Sequence, residues 1–128
     1  MRILLDTCTF LWLVLDHPQL STTAREAVSN PEHEILLSAA SAWEIAVKQA
    51  LGKLALPEPA ERYIPRKRTQ HAIDSLALDE ESALQARGLV GLHRDPFDRL
   101  LICQAVIHGL VIATPDELIR QYPVRTLW

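Results

Sequence analysis

Three short apolar runs constrain this chain more than any other feature: Ile3-Leu4-Leu5 closed by Asp6, Ile35-Leu36-Leu37 closed by Ser38, and Leu110-Val111-Ile112-Ala113 closed by Thr114. A strand that is apolar at consecutive positions has no face left for solvent, and strands buried on both faces belong to parallel sheets covered by helices. Residues 124–127 alternate instead, as a last strand at a sheet edge would, and residues 73–78 form a further candidate strand.

Helix signals fall between these runs. Thr23 with Glu26, and Ser41 with Glu44, each place a hydroxyl three residues before a glutamate, the pattern of a helix start; the second helix extends to Leu51 and stops at Gly52. Further helices are expected over 58–64 before Pro65, 79–87 before Gly88 and 96–108 before Gly109. Strand and helix therefore alternate along 128 residues. That order predicts a single α/β domain spanning 1–128, a three-layer sandwich with a mostly parallel central sheet.

Composition narrows the function classes. At 48% hydrophobic residues and a mean hydropathy of +0.05 the chain has ample material for a core and is not a disordered segment. Its formal net charge of -3, from 13 basic against 16 acidic side chains, excludes binding to nucleic acid by bulk charge, so any such binding needs a local patch. Cys8 and Cys103 each sit in an apolar stretch, which suits small core residues in a reducing compartment and not a disulfide framework. The longest apolar run, Phe10 to Leu15, is far short of a membrane span, and Asp6 interrupts any signal-peptide core, so a cytoplasmic protein without a membrane anchor is expected.

In open parallel sheets ligands bind at the carboxyl ends of the strands. Four acids stand at such junctions: Asp6, Glu44, Asp98 and Asp116. Each also has a structural reading, because Ser41-Ala42-Trp43-Glu44 and Thr114-Pro115-Asp116-Glu117 fit capping boxes and Asp95-Pro96-Phe97-Asp98 resembles a cap. Taken together they point further. Parallel strands deliver their ends to one sheet edge, and carboxylates brought close there raise one another's pKa or demand a counter-ion. Hard oxygen ligands suit Mg²⁺ or Mn²⁺ over zinc, and such ions activate water for in-line displacement at phosphorus.

Ile3-Leu4-Leu5-Asp6-Thr7, Ser41-Ala42-Trp43-Glu44-Ile45 with Lys48 and Gly52-Lys53-Leu54, His93-Arg94-Asp95-Pro96-Phe97-Asp98-Arg99-Leu100-Leu101, and Thr114-Pro115-Asp116 resemble the PIN-domain ribonucleases, and within them the VapC toxins of bacterial toxin/antitoxin pairs. The stretch from His93 to Ala105 carries the most specific part of the resemblance. It implies that Asp6, Glu44, Asp98 and Asp116 hold Mg²⁺ or Mn²⁺ and activate the attacking water, with Thr7 and Thr114 as supporting hydroxyls. Pro115 fixes the backbone beside Asp116, which makes contact through water an alternative for that acid. Asp95 is assigned to helix capping. The resemblance also implies an RNA substrate, a homodimer and a cognate VapB-type antitoxin that covers the active groove.

Lys48, Arg94 and Arg99 lie near the acidic motifs and are the candidates for substrate phosphate, although Arg99 could equally serve a helix carboxylate. Arg62, Arg66, Lys67 and Arg68 fall in an acid-free stretch that could track phosphates or simply face water. Phe10, Leu11, Trp12, Leu13 and Leu15 make the first helix apolar on more than one face, which suits either a partner surface or a buried helix. The five histidines share no ligand spacing. Two other functions compete with an endoribonuclease. A non-catalytic phospho-receiver fits the length and Asp6, but the paired acids and late lysine of that fold are missing. A phosphohydrolase using Asp6 as nucleophile would want a second Asp where Cys8 stands.

Overall fold

The computed structural model describes residues 1–89, Gly91 and 95–128. Among these residues five strands form one sheet: β1 (Arg2–Leu5), β2 (Glu34–Ser38), β3 (Ile73–Leu76), β4 (Val111–Ala113) and β5 (Thr126–Leu127). They pair in the order β3-β2-β1-β4-β5, and every pairing is parallel. Among the described residues six α-helices accompany them: α1 (Thr7–Val14), α2 (Thr22–Ser29), α3 (Ala39–Ala50), α4 (Ala60–Gln70), α5 (Glu80–Gln85) and α6 (Pro96–His108). The expected α/β three-layer sandwich is therefore present. Among the described residues, no helix is long and apolar enough to cross a membrane.

The unbroken apolar runs are explained by the two faces of the sheet. Ile3, Leu5, Ile35, Leu37 and Ile73 point to one side and pack with Phe10, Ile45, Tyr63 and Ile64 from α1, α3 and α4. Leu4, Leu36 and Ile112 point to the other and meet Leu101, Ile102 and Ala105 of α6. Successive side chains of a strand alternate faces, so burial on both sides demands apolar residues at every position.

Several boundaries differ from the sequence expectations. α2 is capped by Ser21, whose side chain accepts from Ala24 N, and not by Thr23. α3 is capped by Ser38, which accepts from Ala40 N, so Ser41 lies inside the helix and not at its start. α4 passes through Pro65 and ends at Gln70. The proline removes one backbone donor within the helix, a loss offset by burial of Tyr63 and Ile64 on the preceding turn. Thr114 to Glu117 starts no α-helix; a single 3-10 turn follows at Ile119–Gln121. On α1, Phe10 is buried, Leu11 and Leu13 pack against the core, and Trp12 stacks on His17, which leaves Leu15 as the exposed member of the apolar set.

The strand order places the site. The chain moves outward from β1 through β2 to β3, then returns to lay β4 on the other side of β1. At that reversal the connections leave in opposite directions and open a crevice beyond the carboxyl ends of β1 and β4.

Candidate active site

Asp6 sits at that reversal. It follows β1 directly, its backbone is extended, and Oδ1 caps α1 by accepting from Thr9 N at 2.7 Å. Oδ2 accepts the hydroxyl of Thr114, which follows β4. The residue is only 4% exposed, and no cation pairs with it among the described residues. Burial pushes its carboxyl above the usual range, the donors from Thr114 and Thr9 oppose that shift, and the charge of Asp116 adds to it.

Glu44 reaches the same place from α3. It too is buried, yet its oxygens are fully engaged: Thr7 Oγ1 donates to Oε1 at 2.7 Å, and Lys48 Nζ donates to Oε2 at 2.6 Å. The Thr7 hydroxyl also lies 3.0 Å from Ser41 Oγ. The Ser41/Glu44 spacing is thus not a cap but one helix face turned toward Thr7. The bond to Glu44 holds the Lys48 ammonium above its ordinary pKa against desolvation, and the charges of Glu44, Asp95 and Asp98 reinforce it.

Asp98 is in the first turn of α6, and Asp95 caps that helix by accepting from Phe97 N and Asp98 N, with Pro96 at the first position. Asp116 accepts from Leu118 N and Ile119 N through Oδ1, while its own N–H donates to Thr114 Oγ1. All four predicted acids line one cavity of about 520 Å³, together with Thr7, Lys48 and Lys53. Their fields add on a single atom: the Cys8 thiol, in the same cavity, is pushed up to about 12 by burial and then by Asp6, Asp98, Asp116 and Glu44.

Other predicted residues have different placements. Arg99 does not line the cavity; its guanidinium donates to Ala86 O and Leu89 O, tying α6 to the preceding turn. Arg94, with His93, lies outside the described residues. In the basic stretch, Arg66 pairs with Glu58 and, like Lys67, lies over the Tyr63 ring, while Arg68 donates to Ile73 O. Sequence reasoning assigned no role to Lys53, although it lines the cavity. The signal that could have found it is Gly52, whose φ of +71° turns the chain as α3 ends and sets the next residue.

The donor set suits a hard dication by its chemistry, since it consists of carboxylates bearing on one cavity and includes a buried Asp6 that has no charge partner among the described residues. Among the described residues, no group of three His, Cys, Asp or Glu side chains is arranged to hold a metal ion. One oxygen of Glu44 is taken by Lys48 as an internal counter-ion.

Residues 3–124 match the family model of the PIN domain. The chain belongs to the PIN-domain family. It is similar to Ribonuclease VapC16 of Mycobacterium tuberculosis, with 40% identity over 75 residues, covering 56% of this chain and 53% of that protein. The chain thus spans about half the length of the curated relative it matches. Among solved structures it resembles VapBC2 from Rickettsia felis bound to a DNA fragment from their promoter, at a TM-score of 0.69 and 13% identity over 99% of this chain and 98% of that one. It also resembles FitAcB from Neisseria gonorrhoeae, at a TM-score of 0.64 and 23% identity over 98% and 96%. At such identities the likeness is one of fold. Family membership favours neither the phospho-receiver nor the aspartyl phosphohydrolase.

Proposed function

We propose that this chain is a divalent-cation-dependent endoribonuclease of the VapC toxin kind, acting in the cytoplasm as a homodimer and neutralised by a cognate VapB-type antitoxin. The single observation that carries the reading is Asp6: a carboxylate only 4% exposed, with no cation paired to it among the described residues, at the strand reversal and in one cavity with three more acids. A buried charge of that kind is costly unless something positive joins it. The name of the relative as a ribonuclease, and its 40% identity to this chain, support the choice of RNA.

In this reading Asp6, Glu44, Asp98 and Asp116 hold Mg²⁺ or Mn²⁺, with Asp116 acting directly or through water. When bound, such an ion activates water and neutralises charge that develops on the phosphate oxygens. The protein's own residues do the rest. Thr114 and Thr9 N fix the Asp6 carboxylate by donating to its two oxygens, and Thr7 fixes Glu44. Lys48 neutralises Glu44 and lines the cavity as a cation for a substrate phosphate. Lys53 supplies a second cation at the same cavity. Arg94 remains a candidate for substrate phosphate, and Arg99 serves the backbone of the turn before α6.

Cleavage of cellular RNA by the purified chain in Mg²⁺ or Mn²⁺ tests this. Activity should vanish in EDTA and in Asp6→Asn or Asp98→Asn. Cutting that persists through both treatments rejects the reading.

A further inference from the structure

One pair of rings, on the two helices that carry Glu44 and Asp98, is not explained by the fold. Trp43 is 59% exposed although it is among the largest apolar side chains of the protein. Its ring meets Phe97 edge to face, with centroids 5.2 Å apart and an interplanar angle of 72°. Edge-to-face contact braces the two rings against each other, and more than half of the Trp43 surface stays open to solvent. The pair bridges α3 and α6, and each ring immediately precedes an acid of the cavity: Trp43 before Glu44, and Phe97 before Asp98.

From this geometry we infer that Trp43, braced by Phe97, is a stacking platform for an unpaired base of the RNA strand next to the phosphate that is cut. The inference rests on the ribonuclease reading and adds to it a binding residue for the base beside the cut phosphate, Trp43. Three features support the occupant. Bases splayed out of a helix stack on aromatic faces, and every base offers such a face, so the contact tolerates many sequences. The platform is held by a second ring, which lowers the entropy lost on stacking. Lys48 and Lys53 line the cavity whose acids Glu44 and Asp98 follow the two rings directly in sequence, which supplies cations for the strand's phosphates on the same helices' side of the site.

The test uses the full chain carrying Asp98→Asn, in which the strand is bound without being cut, and follows tryptophan fluorescence during titration with short oligouridine, oligoadenosine and a duplex of the same length. Single strands should quench the signal, and Trp43→Phe should remove most of that quench while keeping most of the affinity, which separates Trp43 from Trp12 and Trp128. Trp43→Ala should weaken single-strand binding roughly ten- to a hundredfold, and in the uncompromised enzyme should raise KM more than it lowers kcat. The duplex should bind weakly and quench little. Unchanged affinity in Trp43→Ala, with RNA still bound and cut, overturns the platform alone. So does equal quenching by the duplex, or a change in oligomeric state by light scattering at constant RNA affinity, which would make the pair a protein contact. Absence of both RNA binding and RNA cleavage removes the platform and the ribonuclease reading together.

Discussion

The Thr114 hydroxyl donates to Asp6 Oδ2 across two adjacent strand ends, so residues 108 apart in sequence form one hydrogen-bonded unit at the mouth of the sheet. Thr114 is fully buried and also accepts from Asp116 N, which places it between two of the four acids. Replacing it by valine keeps the shape and removes the hydroxyl. Thr114→Val should cost about 1.5–3 kcal/mol in urea unfolding, as expected for a lost bond to a buried carboxylate. Thr114→Ser should restore most of that loss. Equal stability of the valine variant and the wild type would mean that Asp6 does not depend on Thr114.

Asp6 itself should trade stability for function. Its folded pKa lies above the unfolded value because burial penalises the charge. A group shifted upward favours the fold below its unfolded pKa, and that contribution is lost as pH rises through the folded pKa. In chelator at neutral pH, Asp6→Asn should therefore be more stable than wild type by on the order of 1 kcal/mol, a few degrees in Tm. Its amide oxygen still caps α1, and the gap should close as pH falls below about 4. A gap that stays constant with pH would contradict the charge as its cause.

Cys8 reports on the acids without taking part in the chemistry. Its thiol is pushed up to about 12, so almost no thiolate exists near neutrality. Iodoacetamide should label it slowly, with a rate still rising at the alkaline end of the accessible pH range. Asp98→Asn should speed labelling at fixed pH by removing one of the charges that hold the proton. Peptide mass spectrometry separates Cys8 from Cys103. Identical rates in the two proteins would show that Asp98 does not bear on the cavity.

Far from the site, Asp79 caps α5 through Ser82 N and bonds His108 Nε2 at 2.8 Å. The bond from His108 holds its carboxyl well below the usual range. A downward shift stabilises the fold above the unfolded pKa, and that stabilisation is lost as pH falls toward the folded pKa. Asp79→Asn keeps a capping oxygen and should cost about 1 kcal/mol or less at neutral pH, with the difference shrinking in acid below about 4. Urea unfolding at both pH values checks it, and a pH-independent difference would refute the linkage.

The sheet was legible because burial on both faces leaves an unambiguous trace in Ile3-Leu4-Leu5 and in Ile35-Leu36-Leu37. The acids were legible as a set because parallel topology forces strand ends together, and all four line the cavity. What local patterns could not decide was which of two equivalent caps a helix uses. Ser38 and Ser41 both precede α-helical sequence, and only packing against Thr7 decides that Ser41 turns inward. Pro65 misled for the same reason, since a local rule about helix ends was outweighed by buried Tyr63 and Ile64. Long side chains were least legible. The spacing that put Arg99 near Asp98 said nothing about the carbonyls of Ala86 and Leu89, and Lys53, quoted in the motif Gly52-Lys53-Leu54, had no role there because its place at the cavity depends on the turn at Gly52.

Mn²⁺ binding followed by electron paramagnetic resonance addresses the convergence of the carboxylates most directly, because the signal of the free ion falls as sites fill, whether or not an RNA is known. The wild type should take up Mn²⁺, Asp6→Asn and Asp98→Asn should each lose most of that uptake, and Mg²⁺ should compete it away. Undiminished uptake in both variants would contradict a shared site.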